Sequence, residues 1–174
     1  MPLGFVLAAG YLVVARPTPP TLLVGAAIAF TGLLIRAWAA GHIVKNDRLA
    51  TTGPYAHTRN PLYFGSFLIA AGFAIAAHWS LLLFVIAFFV LIYGPTIRDE
   101  RAGIRARFPE AYEEWERHVP SFLPRPTPWR AATRDAHERG SFDINLYMRH
   151  GEWRAALGFA AVLAYLILRM QRRA

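Results

Sequence analysis

Between residues 61 and 97 the chain runs for 37 consecutive positions without an Asp, Glu, Lys or Arg. A single helix of that length, at about 1.5 Å per residue, would far exceed the roughly 30 Å hydrocarbon core of a bilayer. Two helices folded back on each other fit it. His78-Trp79-Ser80 supplies the break, with Trp79 where an interfacial aromatic belongs. Further apolar runs cover 3–15, 21–41 and 155–168. Only 17% of the 174 residues are charged, against about a quarter in soluble domains, which argues against an ordinary soluble enzyme. Cys is absent, which removes disulfide staples, thiol nucleophiles and cysteine-ligated metal sites.

The net charge of +8 raises nucleic acid as a partner, but its distribution argues for lipid instead. Residues 98–154 hold eleven Arg and ten of the eleven acids, so that segment is nearly balanced. The excess flanks the apolar runs, at Arg16, Arg36, Lys45, Arg48, Arg59, Arg169, Arg172 and Arg173, where basic side chains meet lipid phosphates. No nucleic-acid partner is expected, and membrane lipids are.

The fold predicted is an all-α integral membrane protein with two transmembrane helical hairpins, a cytoplasmic helical segment and a C-terminal apolar helix, about five membrane helices in all. Four regions follow: an N-terminal hairpin (1–41), a core (42–124), a polar cytoplasmic linker (125–152) and a final membrane or interfacial helix (153–174). A signal peptide is the competing reading of the N-terminus, but no positive n-region or cleavage pattern accompanies it. Arg16-Pro17-Thr18-Pro19-Pro20 is a rigid connector, and Arg36 is expected to snorkel to the near interface. Placing residues 98–154 in the cytoplasm puts 42–60 there too, with the tight turns outside. The run at 155–168 is short for a span and ends in Arg residues, leaving crossing and interfacial paths both open.

Chemistry-bearing residues flank the second hairpin. Upstream stands Gly53-Pro54-Tyr55-Ala56-His57-Thr58-Arg59-Asn60-Pro61-Leu62-Tyr63-Phe64-Gly65. In the plainest reading Asn60 caps a helix, Pro61 opens it, and Arg59 and Tyr63 touch headgroups. In the functional reading the helix start and Arg59 suit a carboxylate or phosphate, and Gly65 admits a close backbone or ligand. Downstream stands Arg98-Asp99-Glu100-Arg101, which the hairpin returns to the same face. It is either a solvated charge cluster or a partner for a ligand ammonium. Beyond it Ala111, Tyr112 and Trp115 share a helical face on which Phe122 could return, as an amphipathic surface helix or as an aromatic lid suited to a sulfonium.

Together these pieces resemble the superfamily of isoprenylcysteine carboxyl methyltransferases and phospholipid methyltransferases. The matching residues are Gly53-Pro54-Tyr55, Arg59-Asn60-Pro61-Leu62-Tyr63-Phe64-Gly65, Glu100, Phe108, Tyr112, Trp115 and the stretch 120–124. Asn60 stands where the family has His, the family's Glu pair is broken, falling on Glu100-Arg101 by the Phe108 spacing or on Asp99-Glu100 with a one-residue shift, and Pro109 replaces a Gly. The resemblance implies methyl transfer from S-adenosylmethionine to a lipophilic acceptor, a prenylcysteine-type carboxylate or a phospholipid amine, at a site facing the cytoplasm. It implies cofactor-binding roles for Tyr55, Arg59, Asn60, Pro61, Leu62, Tyr63, Gly65, Glu100, Tyr112 and Trp115. Catalytic or acceptor-orienting roles fall to Arg98, Glu100 and Arg101.

The alternatives are a membrane lipid or sterol reductase and a non-enzymatic membrane adaptor. The reductase needs room for a second nucleotide, and no Gly-x-Gly-x-x-Gly is present. The adaptor would leave Arg59 and Glu100 as surface decoration. The six His lack the paired helical spacing of a zinc hydrolase, so no metal site is expected.

Overall fold

A computed structural model of the chain describes residues 10–11, 13–42, 49–130 and 141–172. Lys45, Arg48, Arg173 and most of the 3–15 run lie outside them. The described residues form helices α1 (Pro19–Ala40), α2 (Pro61–Ala77), α3 (Leu81–Phe88), α4 (Gly94–Arg107), α5 (Pro109–His118), α6 (Ile144–Arg149) and α7 (Trp153–Gln171). A 3₁₀ turn, Gly53–Ala56, precedes α2, and a π-helical segment, Phe89–Tyr93, joins α3 to α4.

Thr18 and Thr21 cap each other's backbone N–H groups to begin α1, so Pro19 and Pro20 are absorbed into its first turn, where a missing N–H costs nothing. α1 and α2 then pack backbone to backbone. Gly25 meets the carbonyl of Gly72 and the Cβ of Ala76, while Gly32 meets the carbonyl of Gly65 and the Cβ of Leu68. Between apolar helices in a lipid environment, small residues of this kind allow the close approach that dispersion forces need.

α3, the π segment and α4 make one continuous helix, Leu81–Arg107, of 27 residues. The sequence pattern stops the apolar run at residue 97, yet the helix runs on through Gly94 and Pro95 and ten residues into charged sequence, to Arg107. Leu83, Val90 and Leu91 on this helix are exposed, facing lipid. α1, this long helix and α7 each have the length and apolarity to cross a bilayer, and the shorter α2 is apolar throughout. The chain is an all-α membrane protein.

The C-terminal helix is longer than its apolar run: α7 spans 19 residues, about 28 Å at 1.5 Å per residue. Glu152, just before it, pairs with Arg36 near the end of α1. In its last turn Arg169 donates to the carbonyls of Ala15 at 2.8 Å and Val13 at 2.6 Å, just ahead of α1. α7 therefore runs antiparallel along the full length of α1. Contrary to expectation, Arg36 does not snorkel outward. Its guanidinium turns inward to Glu152, Ser66 and the Leu62 carbonyl, because protein partners there replace water.

Overpacking the α1–α2 seam should be costly. Gly72→Ala would drive a Cβ into the backbone of Gly25 and Ala29 and is expected to destabilise by about 1–3 kcal/mol, read as a lowered midpoint of thermal unfolding in detergent. Gly158→Ala in α7, where nothing lies within 4 Å of the added carbon, should leave that midpoint unchanged or raise it.

Candidate active site

Everything at the site hangs on the segment between the 3₁₀ turn and α2. Gly53 starts the turn at a φ of 57°, a left-handed conformation that glycine adopts at least cost. The turn is then strapped down by the chain beyond α5. The Trp129 N–H donates to the Ala56 carbonyl at 3.0 Å, the Arg125 N–H to His57 at 2.9 Å, and the Arg59 N–H to Pro120 at 2.9 Å. The buried Thr58 hydroxyl donates to the Phe122 carbonyl at 2.9 Å. The Pro-rich stretch at 125–129, expected to be a linker, is thus a strap across the turn.

Asn60 occupies the position before α2 but does not cap it. Its side-chain amide instead donates to the Ser121 carbonyl at 2.8 Å, and its own N–H goes to Thr58 Oγ1 at 3.3 Å. Pro61 has no N–H, so of the group 60–62 assigned to an anion, only Leu62 has an N–H left to offer. Asn60 is a tether for the 120–124 loop. Phe122 returns not on the α5 face but onto α2, with ring centroids 5.6 Å from Phe64 and 5.8 Å from Phe67.

Arg59 is nearly buried. One of its terminal nitrogens contacts the Glu116 carboxylate and donates to the Tyr112 hydroxyl at 3.0 Å, and Arg101 reaches the same carboxylate. Burial alone would raise the Glu116 pKa. The hydrogen bond and charge of Arg59, reinforced by Arg101, outweigh it and hold the group below its ordinary 4.5. The sequence motifs give Glu116 no role, although it lies one helical turn after Tyr112 on the same face.

The two ends of the hairpin do meet. The Tyr63 hydroxyl donates to Glu100 at 2.8 Å, and Tyr93 stacks edge-on to Tyr63 at 5.4 Å. The helix thus selects Glu100, not Asp99, to face α2; Arg98 and Asp99 are exposed. Gly65 admits the backbone of α1, lying under the Gly32 carbonyl and the Arg36 stem.

Tyr112 and Trp115 sit in core, with exposures of 3% and 2%, in a cluster with Ala39, Tyr55 and Val119. The Trp115 indole donates to the Tyr55 carbonyl at 2.9 Å. As packed, they are the floor beneath the 3₁₀ turn rather than a lid.

Three buried polar atoms in this one segment have no hydrogen-bond partner among the described residues: Thr51 Oγ1, the Tyr55 hydroxyl and Arg59 Nε. Buried polar groups are seldom left so. The Tyr55 phenol is pushed above its ordinary value, first by burial and then by the carboxylates of Glu152 and Glu100, with Arg36 offsetting in part; it is a neutral donor. An apolar cavity of about 570 Å³, lined by residues that include Phe73, Ala74 and Leu81, lies beside α2. A smaller one of about 190 Å³ shares Ala70, Phe84 and Val85 with it and reaches Ser66 and Tyr93, beneath the Tyr63–Glu100 pair. Among the described residues no three His, Asp or Glu are grouped as metal ligands.

Fold and site define a membrane protein with a cluster of partly buried polar groups at one end of a lipid-exposed helix bundle. Residues 21–104 match the phospholipid methyltransferase family. A nickel-cobalt-cadmium resistance protein, NccN of Alcaligenes xylosoxydans xylosoxydans, is 34% identical over 114 residues, covering 64% of this chain and 53% of its own length. A cobalt-zinc-cadmium resistance protein, CzcN of Cupriavidus metallidurans, is 32% identical over 127 residues, covering 71% and 57%. The chain thus spans about half the length of these curated relatives. No solved structure matches it.

The Arg59–Glu116 tether sets a pH dependence. A carboxylate held below its ordinary value contributes stability that is present above about pH 5 and is lost as pH falls through its folded-state value. Acid titration of the thermal midpoint should show this loss in the natural chain, and Glu116→Gln should flatten it. Tyr112→Phe, which removes the hydroxyl acceptor of a charged donor, should cost about 1.5–3 kcal/mol in the same assay.

Proposed function

We propose that this chain is a membrane-embedded S-adenosylmethionine-dependent methyltransferase acting on a lipophilic acceptor, a prenylcysteine-type carboxylate or a phospholipid amine, with its site open to the cytoplasm. The observation that carries this reading is the buried, acceptor-less Nε of Arg59 beside the first turn of α2. A buried guanidinium nitrogen calls for an anionic oxygen, and the cofactor's α-carboxylate is one. Glu100, exposed and accepting only from Tyr63 among the described contacts, suits the cofactor's ammonium or a ribose hydroxyl. Tyr55, a neutral buried donor, suits an acceptor atom of the same ligand. The residues thus fit the group.

Bound there, the cofactor supplies an electrophilic methyl group. The chain's own part is to hold and align: Arg59 and the Leu62 N–H fix one end, Glu100 another, and the α2 start is immobilised by its ties to 120–122. Alignment of two reactants is worth about 7–11 kcal/mol of barrier, so a site rich in positioning contacts needs little acid–base machinery. The apolar cavities beside α2 support a lipophilic acceptor approaching from the bilayer. Arg98 and Arg101 remain candidates to orient an acceptor carboxylate, although Arg101 is already engaged with Glu116. The relatives' names concern metal resistance and give no acceptor; the match at 21–104 is what ties this reading to methyl transfer.

Titration calorimetry of the full-length protein with S-adenosylmethionine tests the reading. Binding is expected, and Arg59→Ala and Glu100→Ala should each weaken it by about tenfold or more, a loss of about 1.4 kcal/mol. Absence of binding by the natural chain would overturn the proposal.

A further inference from the structure

The matched family region ends at residue 104, and the sequence alone places Glu152 in a polar linker. In the folded chain Glu152 is almost buried, its carboxylate fork meeting Arg36 Nε at 2.9 Å and Nη2 at 2.6 Å. That bidentate grip fixes the plane of the guanidinium, leaving Nη1 aimed at α2. There it donates to the Leu62 carbonyl at 3.3 Å and contacts the Ser66 hydroxyl, which itself donates to the same carbonyl at 2.9 Å. The Arg36 stem crosses Gly65, where a Cβ would stand 2.7 Å from its Cγ.

Glu152 arrives at this place already aligned. The Asp143 N–H donates to the Gly41 carbonyl at 2.9 Å, His150 Nδ1 lies 3.1 Å from the Ala40 carbonyl, and the Phe142 ring covers Gly41. The end of α1 is thus clasped by the segment leading into α7. The buried Tyr55 hydroxyl feels the charges of Glu152, Arg36 and Glu100 together, so the pair borders the same polar interior as the candidate site.

We infer that Glu152 is a positioning residue for that site: by fixing Arg36 it clamps the first turn of α2, and the C-terminal helix becomes a working part of ligand binding. The identity of the ligand rests on the function proposed above; the clamp does not. Without Glu152 the Arg36 guanidinium is free to swing toward the interface, as arginines in apolar helices do, and the Leu62 turn loses its brace next to Tyr63 and Arg59.

The test compares Glu152→Ala, Glu152→Gln and Arg169→Ala in full-length protein in detergent. Amide hydrogen exchange is followed over residues 62–68, and S-adenosylmethionine affinity is measured by calorimetry. Arg169→Ala frees the opposite end of the same helix, so it reports what mere loosening of α7 does. Glu152→Ala should speed exchange at 62–68 and weaken binding by about tenfold, with Glu152→Gln intermediate because it keeps one acceptor. Arg169→Ala should lower the thermal midpoint while leaving exchange at 62–68 and the affinity unchanged. Unaltered exchange in Glu152→Ala, or an equal effect in Arg169→Ala, overturns the inference. If the natural chain binds no S-adenosylmethionine, the proposed function falls, and the exchange comparison by itself decides the clamp.

Discussion

Backbone contact between α1 and α2 sets the distances on which the rest of the structure depends. With glycine facing carbonyl at Gly25–Gly72 and Gly32–Gly65, the two helices lie closer than side chains would permit, and Arg36 comes within reach of the Leu62 carbonyl and Ser66. The driving force is packing rather than water exclusion, since lipid is as apolar as the helices themselves. What small residues contribute is proximity, and proximity is what lets a few polar groups at the helix ends act on one another.

The polar end of the molecule is built from segments remote in sequence. The 3₁₀ turn at Gly53–Ala56 is supported from beneath by Tyr112 and Trp115, strapped from the side by 120–129, and bordered by Glu152 from the C-terminal segment. Each of these ties satisfies a backbone or buried side-chain group, as a low-dielectric setting demands. Against that background the unpartnered Arg59 Nε, Tyr55 hydroxyl and Thr51 Oγ1 stand out. They gather in one short segment, 51–59, shortly before Tyr63, whose hydroxyl ties the α2 end of the hairpin to Glu100 on the other.

Stability and the proposed function draw on the same groups here. Arg59 is held by Glu116 and Tyr112 through one terminal nitrogen while its Nε stays open, so the tether that orders the side chain is also what orients it. The same holds for Glu100, which Tyr63 fixes through one oxygen, leaving the carboxylate accessible. Arg98 and Asp99, a residue or two away on the same helix, are exposed as Glu100 is, but the rotation of about 100° per residue gives only Glu100 the bond to Tyr63.

The helical, membrane-spanning character was legible in the sequence because it depends on a local quantity, the length of uncharged sequence set against the thickness of a bilayer. The Arg59–Gly65 motif and Glu100 were legible as neighbours for a similar reason: a hairpin must bring its two ends to one face. Pattern failed wherever a side chain's partner was chosen by three-dimensional packing. Nothing near Asn60 announces that its amide will hold the Ser121 carbonyl rather than cap α2. Nothing near Trp115 distinguishes a floor from a lid. Arg36 and Glu152, 116 positions apart, carry no mutual signal beyond the expectation that a charge in an apolar helix must find a partner. Spans and motif order are fixed by hydrophobicity and chain connectivity, which a linear string contains; which buried polar groups pair, and which are left for a ligand, is decided only when the helices close to contact distance.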